Sequence, residues 1–469
     1  IAEHAGKLFF NFNFEKEIIE LFKISNLHLK DYKKDKCYLF FIQGKYLEQN
    51  EEFNNAKLAY SNSIKCDKFF FQSYLNLLSL YEKTNDIIKL SFLIDEALKI
   101  FKKGKNVDII TLYSTILLNR KKNYNESQKI INKKNLLNKF KKEKLYLTIL
   151  LDIESKNLEK MGKYNEAYEK VEKRNNITQN LDENKKYDGK KIFNTIEKYK
   201  KFYNKKNISL ILQNLKYQDD SRLVFLVGFP RSGTTLLDTI LRTHSKIKVL
   251  EEKPFIINLR HNYFIKNKNN LSSLLEITQK EKDDIRSKYY KEIKISSGDK
   301  DKIIIDKLPL SIIELGFIKC IFPSSKIILA MRHPCDVVTS CFFSSFKIND
   351  AMVNFLNMKQ TISFYNTVLD LFEFYQGEIN FNYYVIKYED VVSDFKNQII
   401  KLINFLDLDY EEKLKEFYIT AKKRSKISTP SYNQVINPLY SSSINRWKNF
   451  KNSDLLVNNL SRWIKKYKY

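Results

Sequence analysis

All seven prolines of this 469-residue chain lie after residue 229. A proline inside an α-helix removes a backbone hydrogen bond and clashes with the preceding turn. A proline-free stretch of this length is therefore typical of packed helices, and residues 1–215 repeat apolar side chains at three- and four-residue spacing. We predict an all-α domain over residues 1–215 and a domain of different architecture over residues 216–469.

Two segments of the first half carry the signature of a helical hairpin. In a 34-residue unit that begins at Cys37, small and apolar residues occupy offsets 8, 11, 20 and 24, namely Gly44, Leu47, Ala56 and Tyr60. In the second segment, residues 161–171, Gly162 lies at the predicted turn and Ala167 at the predicted helix contact. Both segments resemble tetratricopeptide repeats, in which small residues let paired helices approach closely. The alternative is a generic helical bundle.

After residue 220 the pattern alternates between short apolar runs and amphipathic segments. The predicted strands are Leu223–Val227, Lys248–Leu250, Lys302–Ile305, Lys326–Met331 and Tyr383–Ile386. The predicted helices are Gly233–Thr243, Leu310–Ile321, Pro334–Phe346, Met352–Phe374 and Val391–Phe405. Alternating strands and helices imply right-handed crossovers, so we predict an α/β domain with a parallel sheet and helices on both faces.

The strongest local pattern is LVFLVGFPRSGTTLLDTIL, from Leu223 to Leu241. An apolar strand runs into Gly228, and a short loop leads to Gly233 and the start of a helix. Backbone N–H groups at a helix start attract anions, so this loop is a candidate phosphate or sulfate site. The spacing of the glycines matches a nucleotide P-loop, but Thr234 stands where an ATPase or kinase has its lysine. The cation comes from within the loop instead, as Arg231.

The segment GFPRSGTT resembles the 5′-phosphosulfate loop of sulfotransferases, which use 3′-phosphoadenosine-5′-phosphosulfate as the donor. Its PRSGTT form is similar to that of the tyrosylprotein sulfotransferases and of the bacterial tetratricopeptide-repeat sulfotransferases. The helical first half favours the bacterial type. The resemblance covers roughly residues 215–465 and implies a P-loop-like α/β fold.

A second oxyanion site is predicted where IILAMRHPCDVVTS places Arg332 at a strand end and Ser340 in the following helix. By the resemblance, an Arg and a Ser eight positions apart bind the 3′-phosphate of the donor. The alternative is an arginine that ties the strand end to a carboxylate.

Two further segments contain candidates for the residues that carry out the group transfer. Glu251 and Glu252 follow the second strand, and a carboxylate there could remove the proton of an acceptor hydroxyl. By the resemblance the base lies twenty-one residues after the loop arginine, which is Glu252; Glu251 and a solvated turn are the alternatives. Lys307 matches the family's lysine that steadies the leaving phosphate, with an ordinary surface ion pair as the alternative.

The resemblance assigns the remaining roles to the loop and to a C-terminal segment. Arg231 and the amides of Ser232, Gly233, Thr234 and Thr235 would stabilise charge on the transferring group, with both threonines on the 5′-phosphate. In residues 428–450, which resemble the family's S-x-x-QV…W segment, Ser431 would reach the sulfuryl region and Arg446 the 3′-phosphate.

The composition of the chain limits the classes of partner and cofactor that we expect it to bind. The net charge is +27, but 71 of the 82 basic residues are Lys and they are spread along the whole chain, so we expect no nucleic-acid partner. The five Cys and five His form no metal-ligand or disulfide spacing, so we expect no metal and a reduced, cytoplasmic compartment. No run of 18 uncharged apolar residues is present, so no membrane span is expected.

The sequence thus predicts an enzyme that moves a sulfuryl group from 3′-phosphoadenosine-5′-phosphosulfate to an acceptor hydroxyl. The acceptor is a protein tyrosine, a glycan or a small molecule, and a peptide could be held by the repeat domain. Two alternatives remain at this point. One is a P-loop nucleotide kinase or NTPase, which Thr234 disfavours, and the other is a non-catalytic repeat scaffold.

Overall fold

The computed structural model describes residues 33–213, 216, 219–294, 299, 301–423, 439 and 443–469. The chain divides into two compact units, residues 1–174 and residues 175–469. A division by packing does not show which part folds alone, so the limits 1–215 and 216–469 remain our proposal for the two domains.

Over its described residues, the first unit consists of helices joined in sequence as hairpins. The helices are α1 (Lys33–Gln49), α2 (Phe53–Cys66), α3 (Phe71–Lys83), α4 (Ile87–Ile100), α5 (Lys105–Arg120), α6 (Tyr124–Lys133), the short α7 (Leu136–Lys139), α8 (Lys144–Lys160) and α9 (Tyr164–Gln179), which crosses the division between the units. Short turns make α1 and α2, α3 and α4, α5 and α6, and α8 and α9 antiparallel pairs.

The same turn recurs in four hairpins. Its central residue has a left-handed backbone, with φ values of 62°, 54°, 61° and 77° at Glu51, Asn85, Lys122 and Gly162. In each turn the next N–H donates to the carbonyl five residues earlier, which satisfies a carbonyl at the helix end. Successive turns are 34, 37 and 40 residues apart. The sequence marked only the last turn with a glycine, so the two middle hairpins were missed.

Gly44 shows why a small residue is needed in the first hairpin. A Cβ atom at Gly44 would lie 2.5 Å from the ring of Tyr60, which is 0% exposed in α2. Any side chain at this position would force α1 and α2 apart. The close approach expected at this pair is therefore observed.

The second unit is built on a five-stranded sheet in which all four strand pairs are parallel. Its strands are β1 (Leu223–Gly228), β2 (Ile247–Glu251), β3 (Ile303–Lys307), β4 (Lys326–Met331) and β5 (Asn382–Lys387), in the order β2-β3-β1-β4-β5. All five strands overlap their predicted ranges, and the predicted α/β fold class with an all-helical first half is confirmed.

Helices of the second unit precede the sheet, connect its strands and follow it. They are α10 (Lys190–Phe202), α11 (Lys205–Gln213), α12 (Thr234–Arg242), α13 (Phe255–Lys266), α14 (Gln279–Glu292), α15 (Leu315–Ile321), α16 (Pro334–Phe343), α17 (Met358–Glu378), α18 (Tyr388–Ser393), α19 (Phe395–Phe405), α20 (Phe417–Lys423) and α21 (Ser453–Lys466). Four of them, α13, α14, α20 and α21, were not predicted. The predicted helix over 310–321 begins as a 3₁₀ segment, Pro309–Glu314, before α15.

The order of the strands brings the candidate residues to one edge of the sheet. β1, β3 and β4 are buried along their whole length, as expected of central strands covered on both faces. The chain lies on one side of β1 through β2 and β3 and then crosses to β4 and β5. Ligands of open α/β sheets bind where the strand order reverses, at the carboxyl ends of the strands.

Residues 190–213 are packed within this second unit. Tyr199 and Tyr203 are 2% and 0% exposed, and the Tyr199 hydroxyl donates to Oε2 of Glu314 at 3.2 Å. A Cβ at Gly316 in α15 would lie 2.4 Å from the Tyr203 ring. These helices therefore contribute to the core that supports the sheet.

The described residues also show the state of the cysteines and the character of the helices. None of the five cysteines, all of which lie in described segments, forms a disulfide. Within the same segments, no helix combines the length and the apolar character that crossing a membrane requires.

Candidate active site

The loop after β1 adopts the form that an anion site needs. Gly228 pairs with Ala330 in β4, and a Cβ at Gly228 would lie 2.6 Å from the Ala330 carbonyl oxygen, so no larger residue fits. Arg231 and Gly233 have left-handed backbones, with φ of 73° and 94°. The turn ends where α12 begins at Thr234, so the N–H groups of the first helical turn lie directly after the loop.

Arg231 and Ser340 are in direct contact although 109 positions separate them. Nε of Arg231 donates to Oγ of Ser340 at 2.9 Å. Ser340 is 6% exposed and lies in α16, the helix that follows β4. The neighbouring Cys341 thiol donates to the carbonyl of Pro230 at 3.2 Å, and burial raises the pKa of this thiol, which keeps it protonated. The loop is thus joined to α16 at two points.

Arg332 completes this cluster from the end of β4. Its Nη1 donates to the carbonyl of Arg231 at 3.3 Å and its Nη2 to the carbonyl of Ser443 at 2.5 Å. The guanidinium carbon lies 5.1 Å from the centre of the Tyr388 ring. Its Nε is buried and has no hydrogen-bond partner in the described part of the chain. A carboxylate is also near, since Nη2 lies 3.9 Å from Asp336. The cluster therefore offers a buried cationic donor beside the loop.

Lys307 and Glu252 form the second half of the site. Glu252 follows β2, and its backbone N–H donates to the Lys307 carbonyl at 2.8 Å, which extends the pairing of β2 with β3. Nζ of Lys307 lies 2.9 Å from Oε1 of Glu252 and 3.5 Å from Oδ2 of Asp238. The Lys307 side chain is 0% exposed and that of Glu252 is 25% exposed. The pair is therefore no ordinary surface ion pair, and Glu252 retains access to solvent.

Glu251 and Glu252 differ in backbone as well as in contacts. Glu251 is the last residue of β2 and pairs in register with Lys307. Glu252 has a left-handed backbone, with φ of 44°, a conformation that a non-glycine residue keeps only where its surroundings hold it. This turn directs the side chain of Glu252 to Lys307. Glu252 therefore contacts Lys307 through its side chain, and its choice over Glu251 as the base remains a proposal.

The C-terminal segment contacts the start of α16. Asp336 accepts from the backbone N–H groups of Asn445 and Trp447, at 2.8 and 3.2 Å. The guanidinium carbon of Arg446 lies 4.7 Å from the centre of the Phe343 ring, at the end of α16. Arg446 thus packs against the end of the helix that carries Ser340. Ser431, the other candidate of this segment, lies outside the described residues.

Sequence reasoning missed several charged residues that support the site. Asp238 and Arg242 form an ion pair four positions apart in α12. Asp336 lies near the Arg332 guanidinium, and Glu389 contacts the backbone directly after Arg332. Glu389 accepts from the N–H of His333 at 2.9 Å, and burial raises the pKa of its carboxyl group. The available signal was an acidic residue inside an apolar stretch, as at Asp238 in TTLLDTIL, because such a residue needs a partner when it is buried.

The described residues contain no cluster of three or more His, Cys, Asp or Glu side chains that could hold a metal ion. The arrangement is instead a set of cationic and backbone donors with one carboxylate at the edge.

The second unit matches known proteins over much of its length. Residues 224–412, which include the loop, Glu252, Lys307, Arg332 and Ser340, match the model of the Sulfotransferase family. Residues 224–412 form a sulfotransferase family domain. The match begins at the second residue of β1 and ends in the 3₁₀ segment before α20.

Among curated proteins, the chain is similar to protein-tyrosine sulfotransferases. It is 24% identical over 238 residues to protein-tyrosine sulfotransferase A of Caenorhabditis elegans, covering 49% of this chain and 62% of that protein. It is 23% identical over 239 residues to protein-tyrosine sulfotransferase 1 of Danio rerio, covering 49% and 67%. An uncharacterized protein of Aquifex aeolicus (strain VF5) is 26% identical over 310 residues, or 63% of this chain and 39% of that protein. The chain thus spans less than two thirds of the length of the first and the third of these relatives.

Solved structures of sulfotransferases are also similar. The sulfotransferase domain from the curacin biosynthetic pathway is 17% identical with a TM-score of 0.38, covering 52% of this chain and 97% of that domain. A mouse sulfotransferase in complex with PAP is 16% identical with a TM-score of 0.32, covering 55% and 88%.

Proposed function

We propose that the sulfotransferase domain transfers a sulfuryl group from 3′-phosphoadenosine-5′-phosphosulfate to an acceptor hydroxyl. The observation that carries the proposal is the meeting of Arg231, Arg332 and Ser340 at the start of α12. Two guanidinium groups, a hydroxyl and the amides of a helix start suit a ligand with more than one phosphate or sulfate group. Nε of Arg332, which is buried and has no hydrogen-bond partner among the described residues, fits such an anion.

We propose the following roles for the loop residues and for the residues around them, in agreement with the resemblance to sulfotransferases. The amides of Ser232, Gly233, Thr234 and Thr235 and the two threonine hydroxyls would hold the 5′-phosphate, while Arg231 would face the transferring group. Arg332, Ser340 and Arg446 would bind the 3′-phosphate, which separates this donor from ATP. Ser431 would reach the sulfuryl region.

Glu252 and Lys307 would carry the transfer itself. The acceptor oxygen forms a bond to sulfur while the bond between sulfur and the bridging phosphate oxygen breaks. The acceptor proton passes to Glu252, and the developing charge on the leaving phosphate is stabilised by Lys307. Like phosphoryl transfer, this reaction requires positioning and charge stabilisation rather than a covalent intermediate.

For the acceptor we propose a hydroxyl compound, with a protein tyrosine as the first candidate to test. The curated relatives named protein-tyrosine sulfotransferases support this choice, at 23–24% identity. We further infer that the helical hairpins are tetratricopeptide-type repeats that hold a peptide acceptor, and that the chain is of the bacterial repeat-containing type. The recurring turn at Glu51, Asn85, Lys122 and Gly162 supports the repeat.

The donor site is tested by calorimetric binding of 3′,5′-adenosine bisphosphate, the product nucleotide, without metal. We expect micromolar binding that Arg332→Ala weakens about 10- to 100-fold, because charge-assisted hydrogen bonds are lost. Arg222→Ala is the matched control, since Arg222 lies before β1 and its side chain is 62% exposed. Binding of ATP with Mg²⁺ in place of the bisphosphate would establish a kinase or NTPase, and binding of neither nucleotide would favour a scaffold.

The base is tested by comparing two neighbouring variants in a sulfation assay with a tyrosine peptide. Glu252→Ala should lower kcat by about 10²- to 10⁴-fold, the usual contribution of a general base. Glu251→Ala removes the adjacent carboxylate and should leave kcat within about threefold, because general-base loss alone carries the large factor. Equal losses in both variants, or a loss in Glu251→Ala alone, would overturn the assignment of Glu252.

A further inference from the structure

Four charged side chains of alternating sign lie in a row at the candidate site, in the order Glu252, Lys307, Asp238 and Arg242. Nζ of Lys307 lies between Oε1 of Glu252, at 2.9 Å, and Oδ2 of Asp238, at 3.5 Å. On the far side of Asp238, Oδ1 accepts from Nε of Arg242 at 2.9 Å and lies 2.8 Å from its Nη2. The two central side chains, Lys307 and Asp238, are both 0% exposed, whereas the outer two are 25% exposed.

The burial of Lys307 requires a permanent partner. A buried ammonium group is strongly unfavourable unless an opposite charge and hydrogen-bond acceptors compensate it. Glu252 cannot be that permanent partner if it also accepts the proton of the acceptor hydroxyl. Asp238 can, because it is fully buried and takes no proton in the proposed reaction.

Arg242 fixes the orientation of Asp238. Its Nη1 also donates to the carbonyl of Val249 in β2 at 2.9 Å, so the guanidinium is held by the sheet. With Oδ1 bound to Arg242, the other carboxylate oxygen of Asp238 faces Lys307. The row therefore joins the end of β3 to β2 and to α12, the helix that begins at the phosphate loop.

We propose that Asp238 is a positioning residue for the transfer: it holds the Lys307 ammonium at the leaving-group oxygen and so leaves Glu252 available to the acceptor. This inference rests on the proposed function. Without the charge of Asp238, Lys307 would pair with Glu252 alone, and neither group would be free for its own task.

The first test measures Lys307 itself and needs no turnover. An amine-reactive reagent is applied to the ligand-free protein, and mass spectrometry follows the labelling of Lys307 in the wild type and in Asp238→Asn. We expect faster labelling of Lys307 in the variant, because its ammonium loses its buried partner. Thr239→Val is the matched control, since Thr239 is also 0% exposed in α12 and its hydroxyl donates within the helix, to the Thr235 carbonyl at 2.8 Å.

The second test separates a positioning role from a structural one. In Asp238→Asn, kcat with a tyrosine peptide should fall by about 100-fold, the usual effect of misplacing a reacting group. Binding of 3′,5′-adenosine bisphosphate should fall by much less than kcat, about tenfold at most, because the loop amides, Arg332 and Ser340 would also hold the phosphates of this product. Arg242→Gln should show the same pattern with a smaller loss, and Thr239→Val should match the wild type.

The outcomes distinguish a positioning role of Asp238 from a structural role and from a failure of the proposed function. Unchanged Lys307 labelling together with unchanged kcat in Asp238→Asn would overturn the inference, as would a loss of nucleotide binding in proportion to kcat, since that indicates a structural role. If the wild type shows no sulfation at all while Asp238→Asn still exposes Lys307 to labelling, the proposed function fails and the holding of Lys307 by Asp238 stands.

Discussion

At the scale of single residues, two adjacent charged residues of one strand contact different parts of the protein. Asp306 and Lys307 follow each other on β3, and successive side chains of a strand point to opposite faces. Lys307 reaches Glu252 and Asp238 at the candidate site. Asp306 is buried on the other face, where Oδ2 accepts from the Tyr289 hydroxyl at 2.9 Å. From the sequence alone, an ion pair between Asp306 and Lys307 is an alternative. In the structure the two side chains instead have different partners, Tyr289 for Asp306 and Glu252 for Lys307.

Asp306 gives a prediction about pH. Burial raises its pKa to about 7, although the hydrogen bond from Tyr289 acts in the opposite direction. In the unfolded chain an Asp has a pKa of about 3.9. The folded state therefore holds the proton more tightly, and the contribution of Asp306 to stability is largest below pH 4 and is lost as the pH rises through 7.

We expect Asp306→Asn to remove this dependence. The free energy of unfolding of the variant, relative to the wild type, should increase between pH 5 and pH 8 by roughly 1–3 kcal/mol, from about 1.4 kcal/mol per pKa unit. Urea unfolding at both pH values measures the difference, with Asp301→Asn as a control because the Asp301 side chain is fully exposed. A constant difference between the variant and the wild type would contradict the buried titration of Asp306.

At the scale of elements, two helical glycines differ in what surrounds them. Gly316 is in α15, where a Cβ would lie 2.4 Å from the ring of the fully buried Tyr203. Gly377 is near the end of α17, and nothing lies within 4 Å of a Cβ built there. Only the first glycine is required by packing, although both look alike in the sequence.

Alanine substitutions should therefore have opposite effects. Gly316→Ala should destabilise the protein by about 1–3 kcal/mol, since an added methyl group in a packed core displaces its neighbours. Gly377→Ala should stabilise it by up to about 1 kcal/mol, because alanine has the higher helix propensity. Denaturant unfolding of both variants decides the question, and equal effects would show that Tyr203 can move aside.

Most elements of the sheet domain were predictable, whereas three of the four hairpin turns were not. Apolar runs such as IIIDK and IILAM mark buried strands by local composition, so β3 and β4 were found within two residues. The hairpin turns place Glu51, Asn85 and Lys122 in the left-handed region, where the sequence has no glycine to mark them. Among the helices that were not predicted, α14 is mostly charged, which hides its helical period, whereas α21 buries Leu456, Leu460 and Trp463 at helical spacing and could have been predicted.

At the scale of the whole molecule, the sequence pattern and the packing place the boundary between the two parts of the chain at different residues. The sequence placed the boundary after residue 215, whereas packing divides the chain after Arg174. Helices α10 and α11 and the turn between them bury side chains within the second unit, namely Ile196, Tyr199, Phe202, Tyr203, Ile208 and Ile211. Removing them would expose the surface on which they pack.

We therefore expect a fragment of residues 175–469 to unfold cooperatively and a fragment of residues 216–469 to unfold at a lower urea concentration. The loss of several buried aromatic and aliphatic side chains supplies the reason, at about 25 cal/mol per Å² of apolar surface. Urea unfolding of both fragments, followed by circular dichroism, is the measurement. A coincident transition for the two fragments would instead support the boundary at residue 215.

The sequence by itself determined the order of the elements and the anion loop. Proline placement, hydrophobic periodicity and the glycines of GFPRSGTT act over a few residues, so they can be read without knowing the fold. Arg231 was selected from the loop itself, whereas Glu252, Lys307, Arg332 and Ser340 were selected with the help of the resemblance to sulfotransferases. Their roles in transfer remain proposals.

Only the tertiary structure decided which of these side chains meet. Ser340 contacts Arg231 across 109 positions, and Lys307 lies between Glu252 and Asp238 from two other elements. Such contacts follow from strand order and from the packing of helices against the sheet, and no local pattern carries that information. For the same reason Asp238 was not found in the sequence, where it is one acidic residue in a helix, and its place beside Lys307 follows from the fold.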